Sequence, residues 1–164
     1  MHVKYFPDFY KKNMKRIYAF FYFRCSGKKE ISEDLTSEVF IKALNAFESY
    51  DPAVSESAWI YMIAKNHFIN YLEKKKYDVS LEDVAMILPD ETHSAESIAQ
   101  KFDSGRLMHA IQKLSVEDRE LVKLKFLEGW AYDDIAILQN KTAGSLRVQA
   151  HRALKALKIL LKQK

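Results

Sequence analysis

Tyr132-Asp-Asp-Ile-Ala-Ile-Leu-Gln-Asn-Lys-Thr-Ala-Gly-Ser-Leu-Arg-Val-Gln-Ala-His-Arg-Ala-Leu-Lys-Ala-Leu157 reads as a short amphipathic helix, a tight turn and a longer basic helix. Ala136 is the small residue the first helix needs where the second crosses it, and Asn140 tolerates the left-handed backbone of the turn. Thr142 is placed to cap the second helix. That leaves Ser145, Arg147, Val148, Gln149, Arg152 and Lys155 to face a groove while Leu146, Ala150 and Leu154 pack inward. From Lys141 to Lys164 there are seven basic residues and no acidic one. A solvated helix normally mixes its signs, so this end reads as a phosphate-facing helix-turn-helix. The competing reading, a solubilising tail that suits the negative end of its helix dipole, explains the charge but not the turn.

Working outward, the chain is 164 residues long, carries 26 Lys+Arg against 22 Asp+Glu, and has four Gly and three Pro. So little turn chemistry argues against a sheet protein and for an all-α chain, as one medium domain or two small ones. A single Cys25 excludes an internal disulfide, and the histidines are too scattered for metal ligation, so neither cofactor nor metal is expected. The apolar run Ile17 to Phe23 is at the short limit for a signal peptide and is closed by Arg24. It reads instead as a buried helix face, and the expected setting is a reduced cytoplasm.

Charge divides the sequence. Residues 1–77 hold 13 Lys+Arg against 9 Asp+Glu, residues 78–103 hold 1 against 7, and residues 104–164 hold 12 against 6. Two basic modules therefore flank an acidic connector, placed at 77–94, where weak periodicity and Pro89 suit a linker that orders on a partner. The modules are drawn at 1–76 and 95–164. In the first, apolar periodicity predicts helices over 8–25 (Phe9, Tyr10, Met14, Ile17, Tyr18, Phe21), 32–48 (Leu35, Val39, Ala43, Ala46) and about 57–76 (Ile60, Ile63, Ala64, Phe68, Tyr71, Leu72). On the other side of the third, Asn66, Asn70 and Lys74 recur every four residues, with Met62 and Trp59 upstream. Amides, a cation and large apolar groups on one face can stack on bases and hydrogen-bond their edges. Trp59 reads equally well as core, and Lys74-Lys75-Lys76 as a favourable helix end.

Glu33-Asp-Leu-Thr-Ser-Glu-Val-Phe-Ile-Lys-Ala-Leu44, then Ser57-Ala-Trp-Ile-Tyr-Met-Ile-Ala-Lys-Asn66 and Asn70-Tyr-Leu, resemble region 2 of the extracytoplasmic-function sigma factors. Ile111-Gln-Lys-Leu-Ser-Val-Glu-Asp-Arg-Glu-Leu121, Phe126-Leu-Glu-Gly-Trp-Ala-Tyr-Asp-Asp-Ile-Ala136 and His151-Arg-Ala-Leu-Lys-Ala-Leu157 are similar to region 4. The resemblance implies that Asp34, Glu38, Ile41, Lys42 and Asn45 meet the clamp helices of the largest subunit of core RNA polymerase, with region 4 at its flap. It implies that the loop from Tyr50 to Glu56, with Asp51 and Ser55, holds an unstacked base of the promoter −10 element, beside Trp59, Met62, Asn66, Asn70 and Lys74. The last helix would enter the major groove of the −35 element, and an anti-sigma partner is expected. The chain departs from the family pattern at Asn70 (often Asp), Gln139 (usually Leu), Asn140 (usually Gly) and Lys141 (often apolar), which bears on base preference more than on role.

Geometry supports a two-site reading. Elements two helical turns apart lie roughly 60 Å from each other at about 3.4 Å per base pair, and a connector of roughly 18 residues at about 3.3 Å each spans a similar distance. A free-standing regulator with an N-terminal sensing or dimerisation module is the alternative, and predicts DNA binding without polymerase, often at a palindrome. An enzyme is poorly supported, since the sequence holds no phosphate-cradling Gly-rich loop, metal constellation or nucleophile beside a base.

Overall fold

The computed structural model describes residues 3–78 and 105–163, and every regular element among them is helical. A 3₁₀ turn, Val3–Tyr5, leads into α1, Phe6–Arg24, with Pro7 in the first turn, where its missing N–H costs nothing. Ser26 and Gly27 both take positive φ, and the Gly27 N–H returns to the Tyr22 carbonyl at 2.8 Å, which stops α1 and turns the chain. Then come α2, Lys29–Ala46, and α3, Glu56–Asp78. The helix starts fall one to three residues before the periodicity placed them. The 77–94 connector therefore begins inside α3; its remainder, and residues 95–104 of the second module, lie outside the described residues.

Residues 105–112 are helical (α4). α5, Val116–Val122, is capped by Ser115, whose hydroxyl accepts from the Asp118 N–H at 3.2 Å. It runs on into a π-helical turn, Lys123–Leu127, and Gly129 with φ of +76° then redirects the chain. α6, Tyr132–Gln139, ends at Asn140 in the left-handed region, and α7, Ala143–Lys162, starts at Thr142, whose hydroxyl accepts from the Ser145 N–H at 3.1 Å. The Asn140 turn and the Thr142 cap are those expected from the sequence; the Ser115 cap is not among the expectations.

One apolar cluster joins the two halves. Phe9, Ile17, Phe20 and Phe21 of α1 meet Leu35, Val39, Phe40 and Ala43 of α2 and Ile60, Tyr61 and Ala64 of α3, and the same cluster continues through Leu121, Leu124, Trp130, Ile135, Leu146 and Ala150. A second, smaller core holds Ala110, Ile111, Leu114, Val122, Ala153 and Leu157. Leu154, expected to pack inward, is instead exposed. The buried stripe of α7 advances 146, 150, 153, 157, following the 3.6-residue period rather than steps of four. Leu72 and Tyr10 also lie at the surface, though the Tyr10 ring packs edge-on to Phe40 at 4.7 Å.

Candidate nucleic-acid interface

α2 sends Leu35, Val39 and Ala43 inward, and that register forces Asp34, Glu38, Ile41, Lys42 and Asn45 outward; all five are exposed. Ile41 is 59% exposed and Leu44 40%, so an acidic end and an apolar middle share one open surface. Such a mixture suits a protein partner better than water.

The loop between α2 and α3 is locally built. The Tyr50 hydroxyl donates to the Val54 carbonyl, and Asp51 accepts from the Ala53 N–H at 2.9 Å, an Asx turn that fixes the bend. Ser55 accepts from the Ala58 N–H at 3.3 Å and so caps α3. The expected −10 residues separate accordingly. Asp51, Met62, Asn66, Asn70 and Lys74 are exposed, Trp59 is half-buried against Phe9, Phe47 and Tyr50, and Tyr50 is buried. Tyr50 thus forms the floor of the loop, and Trp59 behaves mainly as core.

On α7, Ser145, Arg147, Val148, Arg152 and Lys155 are exposed, with Val148 57% exposed amid polar and cationic neighbours. Two of the expected reading groups are engaged within their own module. The Gln149 amide donates to Asp118 Oδ1 at 2.9 Å and its oxygen accepts from Lys141 at 3.3 Å, while Lys141 also meets Glu117 at 3.0 Å. Arg147 lies over the Tyr132 ring, 5.3 Å from its centre. Ser145 closes the cap by donating to the Thr142 carbonyl at 2.9 Å.

Between the halves lies a polar contact. Arg24 donates to Glu128 and, at 2.8 Å, to Glu120, which also accepts from the Tyr61 hydroxyl at 3.2 Å. The Trp130 indole N–H donates to the other Glu128 oxygen at 2.9 Å, and its ring meets Tyr61 edge-on at 5.3 Å. The Glu128 side chain is fully buried and that of Arg24 nearly so. Burial pushes the Glu128 carboxyl up against the opposing pull of Arg24; burial also works against the Arg24 cation, but Glu128 and Glu120 outweigh it and hold it charged. Burial likewise raises the Tyr61 phenol, with Glu120 adding to it. At the rim Ser55 donates to Asp134 at 2.9 Å, and Arg16 bridges Ser57 and Asp134.

Comparison with known proteins places this geometry. The Sigma-70 region 2 family matches residues 9–77 and the Sigma-70 region 4 family residues 104–157. The chain belongs to the extracytoplasmic-function group of the sigma-70 family. It is 26% identical to the ECF RNA polymerase sigma factor BldN of Streptomyces coelicolor over 95% of this chain and 60% of that protein. With the ECF RNA polymerase sigma factor SigW of Bacillus subtilis it shares 29% identity over 92% of this chain and 84% of that one. In fold it resembles the sigma factor RpoE of Bartonella quintana, solved with the anti-sigma factor NepR, at a TM-score of 0.62 and 24% identity, covering 98% and 99% of the two chains. CnrH, solved with the cytosolic domain of CnrY, matches at a TM-score of 0.60 and 17% identity, covering 98% and 89%.

Within this sigma factor the sequence reading missed Arg24, Glu120, Glu128 and Trp130. Arg24 and Glu128 are 104 residues apart, so no periodicity couples them. Glu128 and Trp130 flank Gly129, whose φ of +76° marks the turn, but their burial comes from the packing of the two halves and no local signal gives it.

Proposed function

We propose that this sigma factor docks on core RNA polymerase through the exposed face of α2, centred on Asp34, Glu38, Ile41, Lys42 and Asn45, and gives the polymerase promoter specificity. The loop 50–56 and the outer face of α3, with Asn66, Asn70 and Lys74, engage the opened −10 element, and α7 enters the major groove of the −35 element. It acts without chemistry of its own, in the cytoplasm where the polymerase works; no described helix is long and apolar enough to cross a membrane. The observation that carries this reading is the pairing, on one chain, of a charged and apolar exposed face on α2 with a capped helix-turn-helix whose outer face is cationic.

Division of labour on α7 follows from the packing. Gln149 is held by Asp118 and Lys141, so base reading falls on Ser145, Val148 and Arg152, with Arg147 joining once it leaves Tyr132. Val148 suits apolar contact with a thymine methyl, and Lys155, further along, suits phosphate. RpoE was solved with an anti-sigma factor and CnrH with the cytosolic domain of CnrY, which supports an anti-sigma partner for this chain as well.

Reconstitution tests the reading. Purified protein added to core RNA polymerase should give run-off transcripts from the upstream region of its own gene, where core alone gives none. Tight, palindrome-specific DNA binding without polymerase, and no transcripts with it, would overturn it.

A further inference from the structure

His67 lies on the inner side of α3 and is only 9% exposed. Its ring reaches α2 at two places. Lys42 Nζ lies 2.8 Å from Nδ1, and Glu38 Oε2 lies 2.7 Å from Nε2. An ammonium can only donate, so Nδ1 carries the lone pair and the ring proton sits on Nε2, toward Glu38. That second approach is close but poorly aligned, and Nε2 has no well-directed acceptor. It is an electrostatic contact rather than a full hydrogen bond. Glu38 and Lys42 are four residues apart, the spacing at which they would pair with each other on a bare helix; His67 takes one end of each instead. The groove above it is lined from α2 by Asp34, Glu38 and Lys42 and from α3 by Asn70, Glu73 and Lys74.

We propose that His67 is a positioning residue of the polymerase-facing surface: from beneath α2 it fixes where the Glu38 carboxylate and the Lys42 ammonium stand, and so couples that face to the DNA-facing helix. Two long charged side chains on an exposed helix otherwise lose rotamer freedom when a partner orders them. A buried ring that orders them in advance lowers that cost. The arrangement holds while the ring is neutral. Burial and the nearby Lys42 depress the His67 pKa, Lys74 adding to this and Glu38 opposing it. The neutral form therefore prevails above the ordinary histidine value, and protonation on acidification puts a proton on Nδ1 facing the Lys42 cation.

This inference rests on α2 being the polymerase face, and the experiment separates the two. The full chain is titrated onto core RNA polymerase, parent beside His67→Leu, His67→Gln and the Asp34→Ala, Glu38→Ala pair. His67→Leu should bind about three- to fivefold more weakly, the effect of losing about 1 kcal/mol of preorganised charge. His67→Gln offers Lys42 an acceptor and Glu38 a donor without titrating, and should stay within about twofold of parent at pH 7.5. On stepwise acidification through the depressed His67 titration the parent should lose affinity relative to His67→Gln, toward the factor that His67→Leu shows. If the Asp34, Glu38 pair variant binds like the parent, the assignment of α2 fails. If that variant is weak but His67→Leu binds fully, or the parent-to-Gln ratio is flat with pH, the positioning role is overturned. Should His67→Leu prove unfolded, the pH ratio alone decides.

Discussion

Replacing Arg24 with Met should separate the two halves of the free protein. Arg24 is the cation facing the fully buried Glu128 carboxylate, and it also holds Glu120. Removing one partner of a buried ion pair leaves the other charge uncompensated, at a cost of about 3–5 kcal/mol. Both carboxylates sit on the second half and Arg24 on the first, so this cost falls on the contact between them and leaves each helical unit's own packing in place. It shifts the balance between docked and separated forms by a factor of roughly a hundred to a few thousand toward separation. Trp130 reports on this, because its ring is fully buried between Tyr61, Arg16 and Glu128. Its fluorescence should shift to the red and the radius of gyration should rise, with helical content unchanged. Replacing both partners, Arg24→Met with Glu128→Met, removes the uncompensated charge and should restore much of the docked form. A single variant as compact and as blue-emitting as the parent, or a double variant as open as the single, would refute the reasoning.

Other outcomes follow from the same structure. Thr142→Ala should lower thermal stability by about 1 kcal/mol through loss of the α7 cap, and Thr142→Ser should restore it, read by thermal melting. Gln149→Ala should leave the ranking of −35 sequences by the holoenzyme nearly unchanged, whereas Val148→Ala should erase the preference for thymine at one position, read by replacing each thymine with deoxyuridine. Lys155→Ala should weaken all sequences alike and reduce the salt slope of binding by about one unit. Stability near neutrality should fall as pH drops below about 6.5, because the depressed His67 pKa makes the unfolded chain take up the proton first; His67→Gln should flatten that part of the curve, read by denaturant midpoints.

Where local rules decide the structure, the sequence was legible. Asn140 and Thr142 stand where a left-handed turn and a helix cap demand those side chains, and both take those conformations. The outward set on α2 followed from the inward one, since Leu35, Val39 and Ala43 leave a single possible register. Errors began where spacing was extended too far: Leu154 continues the step from Leu146 to Ala150, but the helical period turns Ala153 and Leu157 inward instead. Tyr50 and Gln149 carry groups that suit DNA, yet the Val54 carbonyl holds the first and Asp118 with Lys141 the second. Arg24, Glu120 and Glu128 read one by one as ordinary surface charges, and only the folded chain brings them together.

If the loop 50–56 engages the −10 element and α7 the −35 element, as proposed, the docked arrangement of the halves cannot engage both at once, on simple lengths. Ser55, at the −10 loop, touches Asp134 on α6 at 2.9 Å. From α6 the helix-turn-helix extends at most the length of α7, whose 20 residues measure about 30 Å. Elements roughly 60 Å apart on a duplex lie beyond that reach. The 26 residues from 79 to 104 span at most about 90 Å when extended, so covalent connection does not prevent separation. The contact must therefore break on the way to the promoter-bound state. The contact combines an apolar cluster with a buried ion pair, and the ion pair contributes less net stability than apolar groups of the same size would, while it strongly specifies one geometry. Because the exposed face of α2 is already free in the docked form, contact with it alone favours neither form; on the proposed reading core polymerase supplies the free energy of opening through contacts that only the separated halves make together. It follows that Arg24→Met, by opening the protein in advance, should bind core polymerase more tightly than the parent, in a titration at equal salt. Equal affinity for a variant proven open by its fluorescence and radius would mean that the halves separate at no cost, and that docking plays no part in the step.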